Sequence, residues 1–160
     1  MPKAKPPLEL TGRVVDTADL LDPETEKRIE TKLAEAERRF GPQLVVVTTK
    51  SLKGREISDY SFDLAQSWGI GHKERLDGLV LLIAPNERKV RIEVGIGLEG
   101  SFTDELAGQI LRESILPQFR EGNIAGGIEA GVDRMIAKMK SVPTLPANDN
   151  AAPDAKDEAA

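Results

Sequence analysis

The chain has 160 residues, enough for one domain with a sizeable core, and its 39% hydrophobic and 31% charged residues are ordinary for a globular protein. It has no cysteine and a single histidine, His72, which excludes disulfides, thiolate nucleophiles, zinc-thiolate sites and histidine-rich metal sites. Net charge is −5, of which residues 141–160 carry −3; with no basic surplus elsewhere and one Trp, one Tyr and four Phe, there is little to hold nucleic acid.

Residues 1–9, with Pro2, Pro6 and Pro7, read as an extended arm that has basic residues but no apolar core of a signal peptide. Residues 10–140 read as the domain. Arg13–Val15 is a short candidate strand ending at Asp16. Asp22 before Pro23 marks a helix start, an acceptor side chain at the cap and a proline in the first turn. That helix runs to Phe40 with Ile29, Leu33, Ala36 and Phe40 on one stripe, and Gly41-Pro42 stops it. Gln43–Thr49 is a β-branched run, expected as a buried strand.

A second helix is expected over Ile57–Trp68, with Tyr60, Leu64 and Trp68 on one side and Ser58 as its cap. Gly69-Ile70-Gly71-His72-Lys73 ends it. Leu79–Ala84 is almost purely aliphatic, as in a strand covered on both faces. Lys89–Val94 alternates charge with Val90, Ile92 and Val94, as in a strand with one polar face. The four residues Pro85–Arg88 between them predict an antiparallel hairpin. Thr103 caps a third helix, with Asp104 and Glu105 in its positive first turn; it is expected to end before Pro117. Asn123 begins a fourth, carrying Ile124, Ile128, Val132 and Ile136 at helical spacing. Residues 141–160, rich in Pro, Ala, Asn and Asp, read as a disordered acidic tail.

The order β-α-β-α-β-β-α-α predicts an α/β fold: a three-layer α/β/α sandwich around a mixed sheet with one antiparallel hairpin. Gln43–Thr49 and Leu79–Ala84 are its expected centre. The loops around Asp16, Gly69–Asp77 and Gly95–Asp104 are expected to gather at one edge. No 18-residue apolar run is present that could span a membrane.

Gly95–Gly100 fits the G-x-G-x-x-G spacing of a dinucleotide site. Such a site needs the helix to open within the glycines, and here the natural cap, Thr103, comes three residues later. The region about 20 residues on is the end of a helix and not a second parallel strand. The loop therefore reads as glycine geometry leading into a helix, with no dinucleotide. Asp16, Asp77, Glu99 and Asp104 lie in or beside loops, and an oxygen-only site for Ca²⁺ or Mg²⁺ is the metal site this chain can build. Each also has a plainer reading: a turn or cap for Asp16, a turn before Gly78 for Asp77, the helix dipole for Asp104. His72 reads as a surface histidine, and Arg88 and Arg91 as solvated charge.

Taken in order, GRVVDTADLL, QLVVVTT, the WGIG of Trp68–Gly71, DGLVLLIAPNERKVRIEVGIGLEG, Thr103-Asp104 and LPQFREGNIAGGIEAGVD resemble a TPM domain, over about Leu10–Met139. This is the family of the thylakoid-lumen acid phosphatase and related bacterial envelope proteins. The resemblance implies an α/β/α sandwich, a phosphatase activity and a divalent-metal site in some members, and residence outside the cytoplasm. It also implies a preceding signal peptide and often a following membrane segment; their absence from these residues suggests a trimmed chain and leaves the cytoplasm open. The chain departs from the family at three motifs. Val15-Asp16 stands where Asn-Asp is usual, Leu76-Asp77-Gly78 where Asp-Asn-Gly is usual, and Gly95-Ile96-Gly97 where Gly-Tyr-Gly is usual. If the family's metal site draws on those oxygens, this chain binds Ca²⁺ or Mg²⁺ weakly or not at all.

Two functions follow as expectations. One is a phosphomonoesterase acting on a small phosphate ester, with Asp16, Asp77, Glu99 and Asp104 holding a divalent ion and Asp16 and Asp104 catalytic. The other, slightly favoured because no Lys/Arg cluster is clearly aimed at one point, is a non-enzymatic envelope module for assembly or maintenance of membrane proteins. Its partner would be a membrane-associated protein.

Overall fold

The computed structural model describes residues 8–72 and 76–142, so the expected arm falls almost wholly outside the described residues, as does the tail beyond Val142. Its elements are β1 (Val14–Asp16), α1 (Pro23–Phe40), β2 (Gln43–Thr48), α2 (Ile57–Trp68), β3 (Gly78–Ala84), β4 (Lys89–Val94), a 3₁₀ turn (Ile96–Leu98), α3 (Asp104–Ile110), a π-helical turn (Leu111–Ile115), α4 (Leu116–Arg120) and α5 (Ile124–Met139). The sheet order is β1-β2-β3-β4, which puts the two most aliphatic strands at the centre.

Alternation along those strands builds two cores. Val14, Leu44, Val46, Leu79, Leu81, Ile83 and Ile92 face α1, α3 and α5. Val15, Val45, Val47, Val80, Leu82 and Ala84 face α2 through Tyr60 and Leu64. Because both faces are covered, β3 carries no polar side chain, and the α/β/α layering expected from the element order is present. On the larger face, α5 is tied to α1 by charge. Glu129 accepts from Arg28 Nε at 2.7 Å and Nη2 at 2.8 Å, and from Lys32 Nζ at 2.8 Å.

Register fixes which loops can meet. β1, β2 and β3 run parallel, with Asp16 beside Thr48 and Thr48 beside Ile83 at their carboxyl edge. Gln43 beside Gly78 marks the amino edge. β4 runs antiparallel, so Lys89 lies beside Ala84 and Val94 returns to Leu79 at the amino edge.

Two local expectations are corrected. α2 is preceded by Glu56 without a side-chain cap; Ser58 lies inside the helix, where its carbonyl accepts from Ser61 Oγ. The helical run after Thr103 does not end before Pro117. Proline has no N–H, and its ring would clash with a carbonyl one turn back in a regular helix. The π turn Leu111–Ile115 reopens the hydrogen-bond ladder just ahead of it. Pro117 then sits in the first turn of α4, where no N–H is needed, and the chain stays helical to Arg120.

Candidate functional site

Asp16 ends β1 at the carboxyl edge, and its carboxylate is engaged by the loop that follows. Oδ1 accepts from the Leu20 amide at 2.9 Å and from Thr48 Oγ1 at 2.6 Å; Oδ2 accepts from the Leu21 amide at 2.9 Å. Thr48, fully buried on the neighbouring strand, also accepts from the Ala18 amide at 3.0 Å. The Val15-Asp16 motif thus closes the turn into α1 and locks it to β2.

Asp77 is at the other end of the sheet. It precedes β3, is 5% exposed, and its Oδ1 accepts from both the amide of His72 at 2.8 Å and, with His72 donating, its Nδ1 at 2.9 Å. Its carbonyl accepts from the Gln43 amide, and Gln43 Oε1 accepts from the Gly71 amide at 2.7 Å. The WGIG loop is in this way stitched to the start of β2 and β3. Glycine is required where these backbones touch. A Cβ on Gly78 would lie 2.6 Å from the Ile70 carbonyl oxygen, and one on Gly95 would lie 2.5 Å from that of Leu76. The Gly95 and Gly97 amides donate to the carbonyls of Gly78 and Leu76. The glycine loop after β4 therefore packs on peptide backbone, and α3 opens only at Asp104, capped by Thr103 through the Leu106 amide at 3.1 Å.

The four acids are consequently not one constellation. Asp16 lies at the carboxyl edge and Asp77 at the amino edge, a strand length apart, so of the three loops expected to gather, those around Gly69–Asp77 and Gly95–Asp104 meet at the amino edge and the Asp16 loop does not. Glu99 and Asp104 are exposed, one after the 3₁₀ turn and the other in the first turn of α3. Among the described residues no three His, Asp or Glu side chains form a group that could hold a metal ion.

What the amino edge does assemble is an apolar groove of about 110 Å³ between α2, the start of β3 and the glycine loop. Phe62, Leu76 and Ile96 stand around it, exposed by 52%, 47% and 71%, and Gly78, Val94 and Gly95 line it with backbone and small side chains. Glu93 closes one side; its Oε1 accepts from Ser61 Oγ and Arg91 Nε, each at 2.9 Å, so its charge is matched. The groove borders the end of β4 at Glu93 and Val94. Gly95 donating to Gly78 fixes the alternation of the hairpin, so Lys89, Arg91 and Glu93 bond to β3 while the peptide groups of Val90, Ile92 and Val94 point outward. No described strand pairs with that outer edge of β4. The element pattern does not reveal the groove, though a signal exists: Phe62 lies off the Tyr60–Leu64–Trp68 stripe, and Ile96 is a bare aliphatic residue between two glycines.

Comparison with known proteins agrees with this fold. No curated protein matches the chain. Among solved structures, the solution NMR structure of the N-terminal domain of a P. gingivalis protein is 32% identical with a TM-score of 0.76, over 82% of this chain and 83% of that one. The BA42 protein of the psychrophilic bacterium Bizionia argentinensis is 19% identical with a TM-score of 0.70, over 83% and 90%. The N-terminal domain of a Corynebacterium glutamicum protein is 17% identical with a TM-score of 0.66, over 90% of each chain. The family model described as the TPM domain matches residues 14–138, and the chain belongs to that family.

Proposed function

We infer that this TPM domain is a docking module that takes up an extended apolar segment of a partner protein, the kind of partner that maintenance of membrane proteins would present. The observation that carries this reading is the convergence of Phe62, Leu76 and Ile96 on one groove at the end of an open strand edge. A segment lying along β4 would bond to the outward peptide groups of Val90, Ile92 and Val94 and set an apolar side chain into the groove. Backbone pairing supplies affinity in such strand addition, and the pocket supplies selectivity. The phosphoester reading is weaker because Asp16 and Asp77 occupy opposite edges and Asp16 is already held by three donors. Among the described residues no helix is long and apolar enough to cross a membrane.

The test is selection of displayed random short peptides on the full chain, with Ile96→Asp as counter-selection. The expected result is enrichment of peptides with apolar residues at alternate positions that bind at least tenfold more weakly to the variant. Peptides that bind both proteins equally, or no enrichment, would reject the reading.

A further inference from the structure

A second and larger cavity is unrelated to the amino-edge groove. It measures about 530 Å³ and lies at the carboxyl edge of β3, between the β3–β4 turn and the α4–α5 corner. Its walls are apolar: Ile83, Val90, Leu116, Phe119 and Ile124. Two exposed cations stand at its mouth, Arg88 from the turn and Arg120 from the end of α4; Lys89, the first residue of β4, also borders it, but its side chain shares the sheet face of its partner Ala84, opposite to that of Val90.

One feature separates this mouth from ordinary solvated charge. No carboxylate lines the cavity. Arg88 and Arg120 form no ion pair among the described residues, a state they share with Arg39, Arg112 and several lysines; what marks them is that they border the same cavity. Two cations without an acidic partner thus share one opening on a chain whose net charge is −5. The amino end of the 16-residue α5 faces the same space, since its first residue, Ile124, is part of the wall. Its dipole adds positive potential there. Arg88 is held in the left-handed region at φ +58°, a conformation uncommon for a residue other than glycine, asparagine or aspartate. The turn itself is fixed. Arg88 donates its amide to the Pro85 carbonyl, Asn86 Nδ2 donates to the Lys50 carbonyl at 2.8 Å, and Glu87 Oε2 accepts from the Leu52 amide at 2.7 Å.

We propose that this cavity binds an amphipathic anion, with a phosphate or carboxylate head at Arg88 and Arg120 and a short apolar body against Val90, Phe119 and Ile124. The volume suits such a molecule, being within the range of small-ligand pockets. Guanidinium groups are matched to these heads because they donate in a planar fork. A free amphiphile and a bilayer lipid both present such a head, and the chemistry recognised is the same.

The experiment is an amide-resonance titration of the full chain with octyl phosphate below its micelle concentration. Octyl trimethylammonium, inorganic phosphate, and vesicles of anionic or zwitterionic lipid serve as parallel arms. Octyl phosphate is expected to shift residues 83–90 and 116–124 and to bind at least tenfold more tightly than inorganic phosphate, with no binding of the cationic amphiphile. Arg88→Asn, which suits the left-handed turn, and Arg120→Gln are each expected to weaken binding at least fivefold while the remaining spectrum is retained. Binding to anionic vesicles but not zwitterionic ones, with the same dependence on Arg88 and Arg120, would identify a bilayer lipid as the source. Equal binding of the two amphiphiles, shifts confined to other residues, or affinity unchanged in both variants would overturn the proposal.

Discussion

Replacing Asp16 by alanine separates a structural role for this acid from a chemical one. In the folded chain the carboxylate accepts from two amides at 2.9 Å and from the Thr48 hydroxyl at 2.6 Å. A hydrogen bond to a charged group contributes about 1.5–3 kcal/mol, and donors left without an acceptor add a desolvation cost. Asp16 is half-buried, so water can replace part of what is lost, and about 1 kcal/mol for each bond is the reasonable figure. Asp16→Ala is therefore expected to lower unfolding stability by about 3 kcal/mol, a large share of a domain's usual margin. Urea denaturation measures it, with the midpoint falling and the slope unchanged. Thr48→Val removes the same hydroxyl bond and strands the Ala18 amide, so the double variant should lose about 1 kcal/mol less than the two single losses combined. A loss below about 0.5 kcal/mol for Asp16→Ala, in the range of ordinary surface changes, would refute the tie described here and reopen a chemical role.

Three further outcomes follow from the same geometry. Gly95→Ala places a Cβ 2.5 Å from the Leu76 carbonyl oxygen and should cost about 2–3 kcal/mol, whereas Gly100→Ala meets nothing within 4 Å and should stay within about 0.5 kcal/mol; equal effects in urea melts would contradict the packing of this loop. The hydrogen bond from Arg28, together with Lys32, holds the Glu129 carboxyl down at about 2, against about 4.3 for a free glutamate. Its stabilisation is therefore complete above about pH 5 and lost as pH falls through about 2, so the Tm gap between wild type and Glu129→Gln should narrow steadily over that window; a gap as wide at pH 2 as at pH 6 would contradict the α1–α5 tie. Asp77→Ala removes the acceptor shared by the His72 amide and ring and should cost about 2 kcal/mol, with hydrogen exchange rising first in residues 69–72; unchanged protection there would contradict the stitching of that loop.

Much of the fold is legible because single residues decide it. Asp22-Pro23 starts α1, and the Asp22 side chain accepts from the Thr25 amide as a cap must. The runs Leu44–Val47 and Leu79–Ala84 are apolar on both faces and become the two central strands. Thr103 and Asn123 cap the helices expected of them. The site is less legible, for two physical reasons. A loop that follows β1 and a loop that precedes β3 must lie at opposite ends when those strands are parallel, so Asp16 and Asp77 are kept apart by strand direction and not by any local signal. Phe62, Leu76 and Ile96 come from a helix, a charged loop and a glycine loop, and only tertiary packing unites them. Pro117 shows the same limit locally, since a π turn absorbs a residue that ordinarily ends a helix.

The most direct measurement is the binding isotherm of a selected apolar peptide on three proteins: wild type, Ile96→Asp and Asp104→Asn. Ile96 is exposed in the groove, and Asp104 is an exposed acid that the phosphoester reading would need. Docking through the groove predicts affinity unchanged in Asp104→Asn and lowered at least tenfold in Ile96→Asp, about 1.4 kcal/mol. Unchanged affinity in Ile96→Asp, with binding lost in Asp104→Asn, would contradict it.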